Sequence, residues 1–288
     1  MKSLIVTADD FGLAPEVNDA VETAHEHGIL TAASLMVGAP AAADAVARAR
    51  RLPMLRVGLH IVLVDGRPIL PAAQLPALVD RAGDFRNDMA GMGLRIFLDP
   101  AARRQLAAEI TAQFEAFAAA GLPLDHVDCH KHFHLHPNIA RLVIEIGRRF
   151  GMTALRVPSE PIDVLSRIET QAPSVESFVT AISAAYLRGR VRRHGLRATD
   201  RVFGLAWSGA MSEARLAGLL AELPDGVTEI YSHPATSNAF AGAVPGYRYA
   251  DELAALTSRD VAAAVKRGGM RLTNYSDLLS GERNQILR

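Results

Sequence analysis

The sequence predicts an α/β protein organised as one closed (β/α) barrel, with an open doubly wound sheet as the second choice. Two observations carry that expectation. Short β-type apolar runs alternate with amphipathic helical patterns from one end of the 288 residues to the other, about eight steps in all. The polar residues that stand out fall where those runs end, which is where parallel α/β architectures place their chemistry.

The elements follow in order. SLIVT (3–7) is a strand, and the helical pattern of 15–28 opens on Pro15 and stops at Gly28. ASLMV (33–37) precedes an Ala-rich helix over 41–51, and LRVGLHIV (55–62) is the third strand. The clearest helix runs over 100–121 and is closed by Gly121. A strand over 125–130, a helix over 137–150 and a strand TALRVP (153–158) come next. Strands at 201–207, 227–232 and 270–274, with helices near 212–222 and 258–267, complete the pattern. Residues 65–99 and 159–200 interrupt the rhythm but keep their apolar residues, so they read as insertions forming lids over the site.

Composition excludes several classes. Thirty-one basic and 31 acidic residues give a net charge of zero, so no general attraction to nucleic acid is written into the chain. The basic run RGRVRRHGLR (188–197) reads as a solvated helical face. One cysteine allows no intramolecular disulfide and suits a reducing compartment. The first apolar run is too short for a signal peptide, and no apolar stretch approaches the roughly 20 residues that span a bilayer. The expectation is a cytoplasmic protein without a membrane span.

Candidate chemistry begins with TADDFG (7–12). Adjacent carboxylates repel, so a buried pair shares a proton or faces a cation, whereas an exposed pair caps a helix. If Asp10 binds a metal, Asp9 is free to act as a base. VGLH (57–60) ends an apolar strand on His60, and HVDCHKHFHLHP (126–137) holds five of the ten histidines, all at even positions. Extended, positions 126 to 136 would stretch over roughly 33 Å. With zinc–nitrogen bonds of about 2 Å, one ion takes at most two neighbours at i and i+2, and the missing ligands come from other strand ends. A surface tract or helix capping is the competing reading of the cluster. Arg156 in RVP and His233 in SHP become candidates for catalysis or substrate binding if they stand at a barrel mouth. No G-x-S-x-G elbow and no phosphate-binding glycine loop occurs.

Taken in order, TADDFG, VGLH, HVDCHKHFHLHP, LRVP and YSHP resemble the YdjC-like (ChbG-type) carbohydrate deacetylases over nearly the whole chain. The stretches AASLMVGAPAAADAVARAR, VGLHIVLVDGRPILP and GLPLDHVDCHKHFHLHP are similar to the hopanoid-biosynthesis branch, HpnK. The resemblance implies a distorted (β/α) TIM-like barrel and one divalent metal ion, Zn2+ or Mg2+, held by Asp10, His60 and His130. It implies Asp9 as base and His233 as general acid, with an acetylated amino sugar or glycolipid, an N-acetylglucosaminyl hopanoid, as substrate. Arg156 is then expected to orient Asp9 or bind substrate, and His132 and His134 to line the sugar groove. The apolar residues Ile69, Leu70, Leu75, Leu78, Met89, Met92 and Phe97 are read as lid packing first and as a seat for a lipid tail second. Peripheral contact with the inner membrane and assembly into a homo-oligomer are left open. A metal-dependent phosphoesterase and a non-catalytic glycolipid-binding protein are the competing functions. The family's usual neighbours are replaced here by Cys129 and Lys131, neither of which maps to a ligand.

Overall fold

The computed structural model describes residues 1–170 and 175–278. Its strands and helices follow one another as β1 (Lys2–Phe11), α1 (Pro15–His27), β2 (Ala32–Leu35), α2 (Ala42–Arg51), β3 (Arg56–Ile61), α3 (Met89–Leu98), α4 (Pro100–Ala119), β4 (Val127–Cys129) and α5 (Pro137–Arg149). Then come α6 (Ile162–Ile168), α7 (Val175–Arg193), β5 (Arg201–Phe203), α8 (Glu213–Glu222), β6 (Gly226–Ser232), α9 (Tyr249–Thr257), α10 (Arg259–Arg267) and β7 (Arg271–Leu272). The strand order is β4-β3-β2-β1-β6-β5, with β7 beside the start of β1, and all pairings are parallel.

The two ends of this curled sheet meet across residues 153–159. Val127 N–H donates to the Ala154 carbonyl at 3.1 Å, Leu155 N–H to Arg197 at 2.9 Å and Val202 N–H to Ser159 at 3.0 Å. The fold is therefore an α/β barrel, distorted at this seam. The expected strand over 153–158 forms only isolated bridges, because Pro158 and Pro161 bring no N–H to a ladder. The expected strand over 201–207 stops at Phe203, since Gly204 turns at φ 129° and the next N–H groups leave the sheet for Glu160.

Side-chain direction alternates along each strand, and the two faces differ in character. Leu4, Val6 and Ala8 of β1, Ala33 and Leu35 of β2, Leu59 and Ile61 of β3, and Val127 and Cys129 of β4 face the helices and join the main hydrophobic core. The opposite parity fills the barrel interior in layers. Ile5, Ala32, Ala154 and Tyr275 form a small apolar floor. Above it lie Thr7, Ser34, His126 and Glu229, then Asp9, His60, Asp128 and Arg156, all buried. Gly58 belongs to this interior: a Cβ there would sit 2.6 Å from the His126 ring, so only glycine admits the imidazole.

Both insertions are helical in part. Residues 65–99 end in α3, which the glycines at 91 and 93 concealed in the sequence and which Asp88 caps by accepting from Gly91 N–H. Residues 159–200 carry α6 and α7, the latter bearing the basic run. Among the described residues no helix is long and apolar enough to cross a membrane.

Candidate metal centre and active-site cavity

Neighbouring residues of a regular strand point to opposite faces, so two adjacent aspartates reach one cavity only if the strand is interrupted. Strand β1 supplies the interruption. Its pairing with β2 slips between Ala8 and Phe11, and Asp10 lies in the left-handed region at φ 61°. The bulge re-aims Asp10, and both carboxylates line the same cavity.

His60 arrives from the end of β3, in register with Asp128 on β4. His130 follows β4 directly. There the chain leaves the extended conformation: Lys131 and His132 both lie at φ 52°, inside a 3₁₀ segment spanning His130–Leu135. Three ligand-type atoms converge. Asp10 Oδ1 is 3.1 Å from His130 Nδ1 and 3.2 Å from His60 Nε2, and the two ring nitrogens are 3.3 Å apart. Donors held about 2.0–2.1 Å from one tetrahedral ion stand about 3.3 Å from each other, so the triangle has the size of a ligand face. His60 Nδ1 lies 2.9 Å from Asp128 Oδ1, the carboxylate–histidine arrangement that fixes a ligating ring.

Charge argues the same way. Burial opposes charge on Asp10, yet His130 and His60 against it hold its carboxyl well below the usual carboxylate range. Burial likewise opposes a charged His60, but Asp128 and Asp10 outweigh it and raise its proton affinity well above an ordinary imidazole. Four buried carboxylates, Asp9, Asp10, Asp128 and Glu229, share one permanent cation, Arg156, which formally leaves three negative charges (four minus one). A divalent cation suits such a centre, and Asp10, His60 and His130 form a cluster that could hold one. The second geometric group, Asp9, His60 and Asp128, does not fit an ion, because Arg156 already occupies its carboxylates.

Arg156 is wholly buried and donates four hydrogen bonds to Asp9 and Glu229, with an ion pair to Asp128 besides. Nη1 reaches Asp9 at 2.7 Å and Asp128 at 2.5 Å, Nη2 reaches Asp9 and Glu229 at 2.8 Å each, and Nε reaches Glu229 at 3.1 Å. The Tyr231 ring stacks 4.8 Å from its carbon. The expected substrate contact for Arg156 is thus corrected: it is fully buried against three carboxylates and does not line the cavity. It holds both oxygens of Asp9.

The cavity measures about 700 Å³, within the usual range for small-molecule sites. Asp9, Asp10, His60, His130, His132 and His233 line its polar end, while Met89, Phe133, Leu135, Ile162 and Leu165 form an apolar wall. His132 Nε2 lies 2.9 Å from the Tyr231 hydroxyl; burial and the nearby Arg156 push its proton affinity well down, keeping the ring neutral. His233 follows β6, its backbone N–H held by the buried carboxylate of Glu252 and its Nδ1 without a hydrogen-bond partner.

His134 departs from expectation. It is fully buried outside the cavity, 2.8 Å from the Arg156 carbonyl, because the left-handed turn at 131–132 ends the period-two alternation that placed it in the groove. Leu75, Leu78 and Met92 pack into the core, as the lid-packing reading has it; Phe97 is exposed. His126, without an assigned role, pairs with Asp125 at 3.0 Å, meets Ser34 at 3.0 Å and stacks on Tyr275. Sequence reasoning passed over Glu229, although a carboxylate in the middle of VTEIYS was a visible signal. Tyr275, whose hydroxyl donates to Glu229 at 2.6 Å, had no comparable signal.

The fold and this centre define a parallel α/β-barrel protein with an Asp/His cluster at the carboxyl ends of its strands. The chain belongs to the YdjC-like family, whose model matches residues 3–267. It is 31% identical over 277 residues to a protein of Geobacillus stearothermophilus described as a carbohydrate deacetylase, covering 95% of this chain and 96% of that one. A carbohydrate deacetylase of Vibrio vulnificus YJ016 is 33% identical over 278 residues, covering 96% of each chain. A solved structure from Enterococcus faecalis V583, described as a candidate cellobiose-phosphate cleavage protein, superposes with a TM-score of 0.75 at 27% identity, covering 96% of this chain and 98% of that one.

Proposed function

We propose that this protein is a metal-dependent carbohydrate deacetylase that hydrolyses the N-acetyl group of an acetylated amino sugar, with an N-acetylglucosaminyl hopanoid glycolipid as its substrate. The observation that carries the reading is the Asp10–His60–His130 triangle beside Asp9 and His233 in one cavity. The relatives described as carbohydrate deacetylases support the same reaction.

Asp10, His60 and His130 would hold a divalent ion, which would supply Lewis acidity for the hydrolysis; two imidazoles among the three ligands favour zinc over magnesium. Asp9, oriented by Arg156, takes the proton of the attacking water. His233 gives a proton to the departing sugar nitrogen, which otherwise leaves poorly. His132, paired with Tyr231, holds a sugar hydroxyl as a neutral ring. Asp128 fixes the His60 tautomer from below. The apolar wall of Met89, Phe133, Leu135, Ile162 and Leu165 suits an apolar aglycone and supports the glycolipid half of the reading.

Metal analysis paired with mass spectrometry of acetylated amino sugars and glycolipids tests the proposal. Asp9→Asn is expected to keep its ion and lose about 10²–10⁴-fold in acetate release. His60→Ala and His130→Ala are each expected to lose both ion and turnover. Near-normal turnover in Asp9→Asn would sink the base assignment, and phosphate release without acetate release would replace the reaction.

A further inference from the structure

Large exposed apolar side chains are concentrated in one place. Of the eleven recorded among the described residues, eight lie on α3, α6 and α7. Leu94, Phe97 and Leu98 project from α3 at 61%, 60% and 66% exposure. Phe178, Val179 and Ile182 project from α7 at 67%, 55% and 57%, and the i, i+4 spacing of Phe178 and Ile182 puts them on one stripe. These helices edge the cavity. Met89 of α3 and Ser177, Thr180 and Ala181 of α7 belong to its wall, and Phe97 packs edge-on against His136, another wall residue. Scattered exposed apolar residues need no explanation, whereas a concentration around one opening marks a contact surface.

The charge on α3 and α7 is mainly basic, with Glu176 in the first turn of α7 against Arg95, Arg188, Arg190, Arg192 and Arg193. Arg95 is the one charged residue of α3, and the acidic caps at its ends, Asp88 and Asp99, are tied to backbone N–H groups. Between residues 177 and 199 there is no acidic residue, and α7 ends in exposed Arg192 and Arg193, in a chain whose net charge is zero. Apolar stripes flanked by arginines are the pattern of helices that lie in a lipid–water interface beside anionic headgroups.

We infer that α3 and α7 form a docking surface for an anionic lipid bilayer, on which the cavity opens toward the headgroup layer. A protein seated across both helices would cover the opening, whereas a bilayer presents lipid substrates to it. As a route of substrate delivery the inference rests on the glycolipid reading above; as a docking surface it rests on the rim alone.

Vesicle flotation tests it, using vesicles of phosphatidylethanolamine with phosphatidylglycerol and vesicles of phosphatidylcholine alone. The full-length protein is expected to bind the anionic vesicles at least about tenfold better, with the advantage shrinking in high salt. The pair Phe178→Glu and Ile182→Glu, and separately the pair Leu94→Glu and Leu98→Glu, are expected to reduce that binding at least about tenfold. Their melting temperature and their acetate release from a water-soluble acetylated amino sugar should stay unchanged. Absence of wild-type binding, or variants that bind as well as wild type, would overturn the proposal. So would light scattering that shows a dimer broken by the same variants without any vesicle binding. Vesicle binding that follows the expected pattern while no soluble sugar loses acetate would leave the docking surface standing and remove the deacetylase reading.

Discussion

Below Asp10 the barrel interior pairs its charges closely: Arg156 meets Asp9, Asp128 and Glu229, Tyr275 and Thr7 bond Glu229 again, and His126 joins Asp125 to Ser34. At the cavity face the pattern reverses. Ring nitrogens of His132, His136 and His233 are buried without hydrogen-bond partners, and helices beyond them expose leucine and phenylalanine. The two regions share the same strands and lie a layer or two apart. A fully paired buried network is rigid and specific, and it can hold a neighbouring layer whose groups stay unpaired for a substrate. The lower layers position, and on the proposed function the upper one reacts.

Removing the centre of the lower network tests this division most severely. Arg156→Met fits the space but leaves three buried carboxylates without their cation, and a loss of about 3–5 kcal/mol is expected in urea denaturation. Arg156→Lys, with charge but without the five-donor fork, should fall between. A neutral Arg156→Met would mean that the layer is not held by charge pairing at all.

A smaller effect is expected from His134, which braces the Arg156 carbonyl. Burial pushes its pKa down to about 4. Its folded value lies below the unfolded value of about 6.5, so between these two pH values the unfolded chain binds more protons and stability is lost as pH falls. About 3 kcal/mol is at stake across that window. Denaturation at stepped pH should show the decline, and His134→Gln should flatten it. An unchanged slope would place the pH sensitivity in the upper layer instead.

The smallest effect belongs to the surface. Lys131 and Asp65 form a 2.6 Å pair with side chains 37% and 47% exposed, and Lys131→Ala should change stability by no more than about 1 kcal/mol. A larger loss, read by the same denaturation, would show that the left-handed turn at 131–132 depends on this tether.

Asp10, His60 and His130 were legible as residues at the ends of predicted strands, and the choice of His130 among the five clustered histidines came from the family resemblance. The lower layer was less so. Seeing Glu229 and Asp128 as partners of Arg156 requires knowing that the barrel interior takes the polar parity of each strand, and local patterning is silent on which face closes inward. His134 was misplaced because KHFH carries no glycine or asparagine to announce consecutive left-handed residues. Helix α3 was hidden by its glycines, and the seam at 153–159 by the apolar look of TALRVP. The Asp-Asp pair itself was read as unusual, but its bulge was not, since a one-residue slip in pairing leaves no mark on composition.

The three atoms of the ligand triangle come from positions 10, 60 and 130, far apart along the chain and joined through β1, β3 and the turn after β4. No contiguous fragment of the first hundred residues contains the triangle. The centre therefore comes into being only after the long-range closure of strands, the slow and entropically costly part of assembling such a topology. A cation seated there clamps three distant segments at once, so by mass action it favours the closed barrel over every open chain. On the proposed reading, an ion held by this triangle would be a late-arriving keystone of the fold.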